Sequence, residues 1–260
     1  VYVRILSALS LVFCAGCMVV DNRPAPGQLL LQTDPEYGRN YHLYVPSRNN
    51  QGRAWPLIIA CHGTIPWDSA DRQVAQWKGL AEEKGFLVAA PELRGTKGDF
   101  PPATEEQIRR QLEDEKIILS VVKAIRAARN VDENRVFLTG WSAGAYAVLF
   151  TGLRNPDTFR AIAVSQGNFK ADFVEPCIPF IDRYQPVNIV YNSEDLLLKA
   201  DAPTCIDWLR AQGMHPTVLE RPGIHKRDPE PIFNFFVDCA RRIPWIRVSV
   251  TYDPGDPMEV

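Results

Sequence analysis

Gly140-Trp141-Ser142-Ala143-Gly144 is the stretch of this chain with the clearest chemical content. A serine hydroxyl is a poor nucleophile until a base takes its proton, and a histidine held by a carboxylate suits that task near neutral pH. The apolar run Val136-Phe137-Leu138-Thr139 precedes the motif and Ala145-Tyr146-Ala147-Val148-Leu149 follows it, so G-x-S-x-G sits where a strand turns into a helix. In so tight a turn, side chains flanking the serine would collide with neighbouring backbone, and the strained serine projects its Oγ outward. A helix starting there also directs unpaired N–H groups and its positive end at charge developing beside Oγ. A serine that merely caps a helix would not need the strand before it.

The chain carries four histidines from which the base must come. His42 lies in an early strand, His62 follows a strand far upstream of Ser142, and His215 stands beside Pro216. His225 lies in Pro222-Gly223-Ile224-His225-Lys226, between the last strand and the final helix, and completes the order Ser, acid, His that accompanies this turn. The acid is then expected at the end of a strand between them. Asn188-Ile189-Val190-Tyr191 runs into Asn192-Ser193-Glu194-Asp195, which makes Asp195 the expected acid and Glu194 the reserve; Asp182 and Asp201 fit a strand end less well. Ala143, next after the nucleophile, supplies one backbone N–H for an oxyanion. Trp141 and Trp67 could wall the site for a sugar ring or a phenolic acyl group, or could brace loops instead. The segment from Asn168 to Tyr184 has room for a short cap but not for a large lid, which predicts a modest, fairly open cleft.

Elements that position such residues can be read from periodicity. Leu29-Leu30-Leu31 and Tyr41 to Val45, parted by a turn-prone Asp34-Pro35-Glu36-Tyr37-Gly38, predict an antiparallel edge. Apolar runs then alternate with helical patterns: Leu57 to Ala60, Ala70 to Lys84, Phe86 to Ala90, Thr104 to Arg129, Arg135 to Thr139 and Ala143 to Leu153. The rhythm continues through Ala161 to Ser165, Val187 to Tyr191, Cys205 to Gln212, Thr217 to Glu220 and Ile232 to Arg241. This is the pattern of an α/β protein, a doubly wound, mostly parallel sheet with helices on both faces in three layers. Trp245 to Val250 alternates like a further strand and has no functional reading.

Composition narrows the function classes. With 260 residues, 46% hydrophobic, the chain can bury the core of one domain, expected over 29–260. A net charge of −2 gives no basic excess for nucleic-acid phosphates, so no nucleic-acid partner is expected. Arg4 followed by the short apolar run Ile5 to Gly16 has the anatomy of an export signal, expected over 1–17. Its end, Cys14-Ala15-Gly16-Cys17, resembles a bacterial lipobox, so Cys17 is the expected site of lipid attachment to a membrane, with simple cleavage of the leader as the alternative. The Pro-rich stretch within 18–28 suits a flexible tether, and the destination is the cell envelope, periplasmic or facing outward. Of Cys61, Cys177, Cys205 and Cys239, the first reads as a small buried hydrophobe and one bridge is expected among the other three. Past the leader, no Cys-x-x-Cys or His-x-x-x-His spacing appears, so neither a metal nor another cofactor is expected.

Taken together, Ala60-Cys61-His62-Gly63-Thr64, Ala90-Pro91-Glu92-Leu93-Arg94-Gly95, the GWSAG turn, Asn192 to Asp195 and Gly223-Ile224-His225 resemble the α/β-hydrolase serine esterases of the polyhydroxybutyrate depolymerase and feruloyl esterase group. The likeness implies hydrolysis of a polymer-derived or carbohydrate-linked ester through an acyl-enzyme, without metal or nucleotide. It also makes the His62-Gly63-Thr64 turn an oxyanion loop, with Thr64 N–H as second donor and His62 as its brace. The acid loop departs from the group, which commonly carries His-Gly-x-x-Asp where this chain has Tyr191-Asn192-Ser193-Glu194-Asp195. Two competing readings are a prolyl-oligopeptidase-like peptidase, for whose usual propeller the chain has no room, and a binding protein that has lost turnover.

Overall fold

The computed structural model describes residues 27–47, 52–96, 103–196, 198 and 200–242. The expected leader, Cys17, most of the tether and the strand pattern at 245–250 lie outside the described residues.

Among the described residues, eight strands form one sheet: β1 (Gln28–Thr33), β2 (Asn40–Val45), β3 (Trp55–Cys61), β4 (Leu87–Pro91), β5 (Val131–Trp141), β6 (Ala161–Ser165), β7 (Val187–Asn192) and β8 (Thr217–Arg221). Their spatial order is β1-β2-β4-β3-β5-β6-β7-β8. β1 and β2 are antiparallel, as their alternation suggested, and every pairing from β4 to β8 is parallel. Five helices pack on it: α1 (Ala70–Lys84), α2 (Thr104–Ala128), α3 (Gly144–Arg154), α4 (Asp201–Ala211) and α5 (Glu230–Arg241).

The inner strands, β3, β4, β6 and β7 above all, are apolar on both sides because both sides are covered, whereas β1 and β8 at the margins are largely exposed. Leu57, Ile59 and Cys61 of β3 face a core that includes Ile118 and Val121 of α2, Phe150 of α3 and Leu209 of α4. Ile58 and Ala60 point the other way, into a second core with Val74 and Trp77 of α1 and Ile232 and Phe236 of α5. There Phe137 stacks on Phe236 at 4.6 Å between ring centroids. Each such ring withdrawn from water contributes about 1.5–3 kcal/mol.

The expected disulfide is not there, and for Cys239 the two cores give the reason. Cys61, Cys177, Cys205 and Cys239 are all free and buried. Cys239 belongs to the α1/α5 core and Cys177 and Cys205 to the opposite one, so the sheet stands between them. Cys177 directs its thiol at the Phe150 carbonyl, 3.6 Å away. Burial pushes the Cys239 thiol up to about 11 and Cys177 up to about 12, and raises Cys205 as well, which leaves three inert, protonated sulfurs.

Strand order matters most at one place. From β3 the chain crosses to β4 on one side, whereas β5 to β8 run out on the other, so the sheet reverses its winding between β3 and β5. A crevice at the carboxyl ends of the strands is expected at such a switch point. Cys61 of β3 pairs with Gly140 of β5, so the segments His62-Gly63-Thr64 and Trp141-Ser142 leave the sheet side by side.

Candidate active site

Ser142 has a φ of +55°, in the left-handed region that costs a residue with a side chain roughly 1–3 kcal/mol. The glycines around it show what holds it there. A Cβ on Gly140 would stand 2.7 Å from the Gly144 carbonyl oxygen, and one on Gly144 would stand 2.5 Å from that of Cys61 and 2.8 Å from that of His62. Neither position admits a side chain. The bare Gly144 therefore lets the first turn of α3, preceded by Ala143, press onto the end of β3 that leads to Thr64. No hydrogen bond from the backbone N–H of either is found among the described residues. The Ser142 N–H donates to Ser165 at 3.1 Å, and its carbonyl accepts from Ala145 and Asn168, so the backbone is fixed while the residue stays partly exposed.

His225 Nδ1 lies 2.6 Å from Asp195 Oδ2. The carboxylate can only accept, so Nδ1 carries the ring proton and Nε2 keeps its lone pair. The Asp195 side chain is 1% exposed and that of His225 19%, an acid sealed behind a base that still reaches the surface. The imidazole lies 4.4 Å from the ring of Trp141, the residue before Ser142. Glu194, the reserve acid, is exposed, and its backbone N–H donates to Gly223 at 3.1 Å.

The loop bearing His225 is clamped by residues that the sequence reading did not single out. Asn192 at the end of β7 donates through Nδ2 to the Ile224 carbonyl at 2.6 Å. Gln166, just beyond β6, accepts from the Lys226 N–H at 3.0 Å and donates back to the Lys226 carbonyl. It does so from a φ of +46°, with its own N–H bonded to Val190 at 2.7 Å. The Gln166-Gly167 pair at a strand end was the only sequence signal of this turn.

The other histidines are placed differently. His62 is 1% exposed and has both nitrogens engaged: Leu93 N–H donates to Nε2 at 3.0 Å and Nδ1 meets the Gly63 carbonyl at 2.8 Å. Burial holds it below its ordinary pKa, in the neutral form. His42 is partly buried and His215 exposed.

Around this centre, Trp67 is 73% exposed. Trp141 is instead engaged by the Arg227 guanidinium, 4.1 Å from its ring, as well as by His225. The segment from Asn168 to Tyr184 forms two short 3-10 turns, Ala171–Phe173 and Glu175–Phe180. Phe173 packs on Tyr146 and Ala143, which ties the segment to the start of α3. A cavity of about 950 Å³ opens beyond the His62 loop, with His42, Ile65, Glu92 and Arg109 in its walls; Ser142 and His225 are not among its lining residues. Two of its arginines, Arg109 and Arg110, are paired with Glu106 and Glu113.

The prolyl oligopeptidase family matches residues 72–177, which include Ser142 and stop before Asp195 and His225. The chain is 26% identical over 116 residues to a bifunctional acetylxylan esterase/xylanase of Neocallimastix patriciarum, covering 41% of this chain and 15% of that protein. It is 27% identical over 122 residues to poly(3-hydroxyalkanoate) depolymerase C of Paucimonas lemoignei, covering 44% of this chain and 28% of the other. The chain thus spans less than a third of the length of these two relatives. A ferulic acid esterase from Anaeromyces mucronatus, solved with ferulic acid, superposes with a TM-score of 0.63 at 13% identity, over 81% of this chain and 89% of that one. In fold, the chain is an α/β-hydrolase, with sequence similarity to an acetylxylan esterase/xylanase and a poly(3-hydroxyalkanoate) depolymerase.

Proposed function

We propose that this protein is a serine hydrolase that cleaves carboxylic esters through an acyl-enzyme intermediate. The observation that carries the reading is the His225–Asp195 pair, 2.6 Å apart, whose imidazole packs against Trp141, the residue before a serine held at positive φ. In the proposed cycle, His225 Nε2 takes the proton of Ser142 Oγ as that oxygen attacks the ester carbonyl. The N–H groups of Ala143 and Thr64 receive the oxyanion, a stabilisation worth about 3–4 kcal/mol for each donor of this kind. Collapse expels the alcohol, protonated by His225, and leaves an acyl-Ser142 ester. Water, deprotonated by His225, then releases the acid and restores the serine. Asp195 holds the imidazole tautomer and stabilises the imidazolium without taking its proton.

For the substrate, the proposal is a polymer-derived or carbohydrate-linked ester. Exposed apolar side chains stand beside the groups concerned: Leu196 next to Asp195 is 81% exposed, Ile224 next to His225 is 67%, and Trp67 lies on the Thr64 loop. They suit an acyl chain or a polymer surface better than a small polar ester. The acetylxylan, hydroxyalkanoate and ferulic acid named for the similar proteins are all joined through esters. We extend the proposal to export with lipid attachment at Cys17, on the sequence pattern alone. A peptidase is the second reading, favoured by the prolyl oligopeptidase family match.

Hydrolysis of p-nitrophenyl acetate, a feruloyl ester and a proline-containing peptide anilide by one preparation tests the choice. Ester cleavage with no turnover of the anilide is expected; faster cleavage of the anilide would replace the esterase reading with the peptidase one.

A further inference from the structure

The putting together of this site requires two loops from opposite ends of the chain to keep a fixed distance: the one carrying Thr64 and the one carrying His225. One contact joins them directly. Arg227 Nη2 lies 2.6 Å from Asp68 Oδ1, with the Asp68 side chain wholly buried and that of Arg227 mostly so. The other oxygen of Asp68 accepts from the Gly63 N–H at 2.6 Å, one residue before Thr64, and from Gln73 Nε2 of α1 at 2.7 Å. Arg227, two residues after His225, lays its guanidinium on Trp141, and the same indole closes on Gly63, where a Cβ would stand 2.9 Å from its ring.

We propose that Asp68 and Arg227 are a positioning pair, a buried charge brace that sets the oxyanion loop against the base loop across Trp141. This rests on the functional reading above. Burying two charges is costly unless further hydrogen bonds and a close partner offset it, and Asp68 has both. Asp68 Oδ1 has no further hydrogen-bond partner among the described residues, so the Arg227 guanidinium at 2.6 Å is what offsets the burial of that oxygen. Neutralising either partner should therefore release both loops. The transition state would suffer more than the substrate complex, because donor and base must act together only there.

The test compares Asp68→Asn, Arg227→Met, their combination and Arg227→Lys with the wild type, alongside Ser142→Ala as the control for the underlying mechanism. Asn retains an oxygen for the Gly63 N–H and gives up the charge; Met retains bulk over Trp141. Each single neutralisation is expected to lower kcat about 10- to 100-fold with KM within about twofold, as a misplacement of order 1 Å would. Affinity for phenylboronic acid, which forms a tetrahedral adduct on an active serine, should fall by a similar factor. The double variant should be no worse than the poorer single one, since both remove the same brace. Arg227→Lys, which restores the charge, should recover most of what Met loses. Folded variants with kcat within twofold of wild type would overturn the proposal. So would a lowered melting temperature with unchanged boronate affinity, the mark of a purely structural role. If Asp68→Asn does not fold, the Met and Lys variants decide alone: equal losses in both would overturn it. Full activity in Ser142→Ala would instead defeat the esterase mechanism itself.

Discussion

His62 and His225 stand on loops that leave the same edge of the sheet, and their surroundings could hardly differ more. Both nitrogens of His62 are engaged by backbone groups of Leu93 and Gly63 in a sealed position, so the ring has no free lone pair to take a proton. His225 spends one nitrogen on Asp195 and keeps the other. The first arrangement braces a loop; the second suits a base. What separates a structural from a chemical histidine here is the tally of its nitrogens, together with a route to solvent.

Replacing His225 by Ala should lower kcat/KM by about 10⁴-fold, with little change in stability, measured as ester hydrolysis beside a thermal melt. Asp195→Asn should approach that loss by fixing the wrong tautomer, whereas exposed Glu194→Gln should leave activity within about twofold. Equal losses from the two acids would blur the comparison.

His62→Ala should show the opposite balance. It leaves the Leu93 N–H and the Gly63 carbonyl unpaired in a buried place, at a cost of about 1–3 kcal/mol in the urea unfolding free energy. Activity per folded molecule should fall far less than in His225→Ala; a loss as large would place His62 in the chemistry.

The smallest effect concerns Asp114, which accepts from the N–H groups of Arg94 and Gly95 at 2.7 Å each. That segment leads to Thr96, whose carbonyl receives the Ile65 N–H of the oxyanion loop at 3.2 Å. Burial raises the Asp114 carboxyl to about 7 against those two bonds. A folded pKa above the unfolded one means the folded state holds the proton more tightly. Its contribution to stability is therefore full below the ordinary carboxyl value of 3.8 and lost as pH rises through about 7. His62 pulls the other way, since its lowered pKa costs stability as pH falls below 6.5. Thermal melts of wild type and Asp114→Asn between pH 4 and 8 should therefore converge or diverge with a slope that falls with pH in the wild type relative to the variant. Parallel curves would assign Asp114 no such role.

The sequence made some of these positions visible and hid others for physical reasons. Glycine spacing between an apolar strand and an alanine-rich helix is a local pattern, and it located the turn at Ser142 correctly as a backbone feature. The inner strands β3, β4, β6 and β7 fell close to their expected bounds because burial on both faces leaves unbroken apolar runs, whereas β5 and α4 begin four residues before the expected Arg135 and Cys205. Gln166, Asp68 and Arg227 were not legible. Each acts on a partner from a distant part of the chain, Lys226 for Gln166 and each other for Asp68 and Arg227, and no local pattern encodes such a meeting. The expected cysteine bridge failed for a related reason: residue counts cannot say that Cys239 lies across the sheet from Cys177 and Cys205, nor where in their shared core those two thiols point.

The central claim is that Ser142 is a nucleophile activated by His225. Labelling the folded protein with a fluorophosphonate and locating the modified peptide by mass spectrometry tests it most directly. The expected result is stoichiometric modification of Ser142, abolished in Ser142→Ala and slowed by orders of magnitude in His225→Ala. Modification elsewhere, or none in wild-type protein that is demonstrably folded, would contradict it.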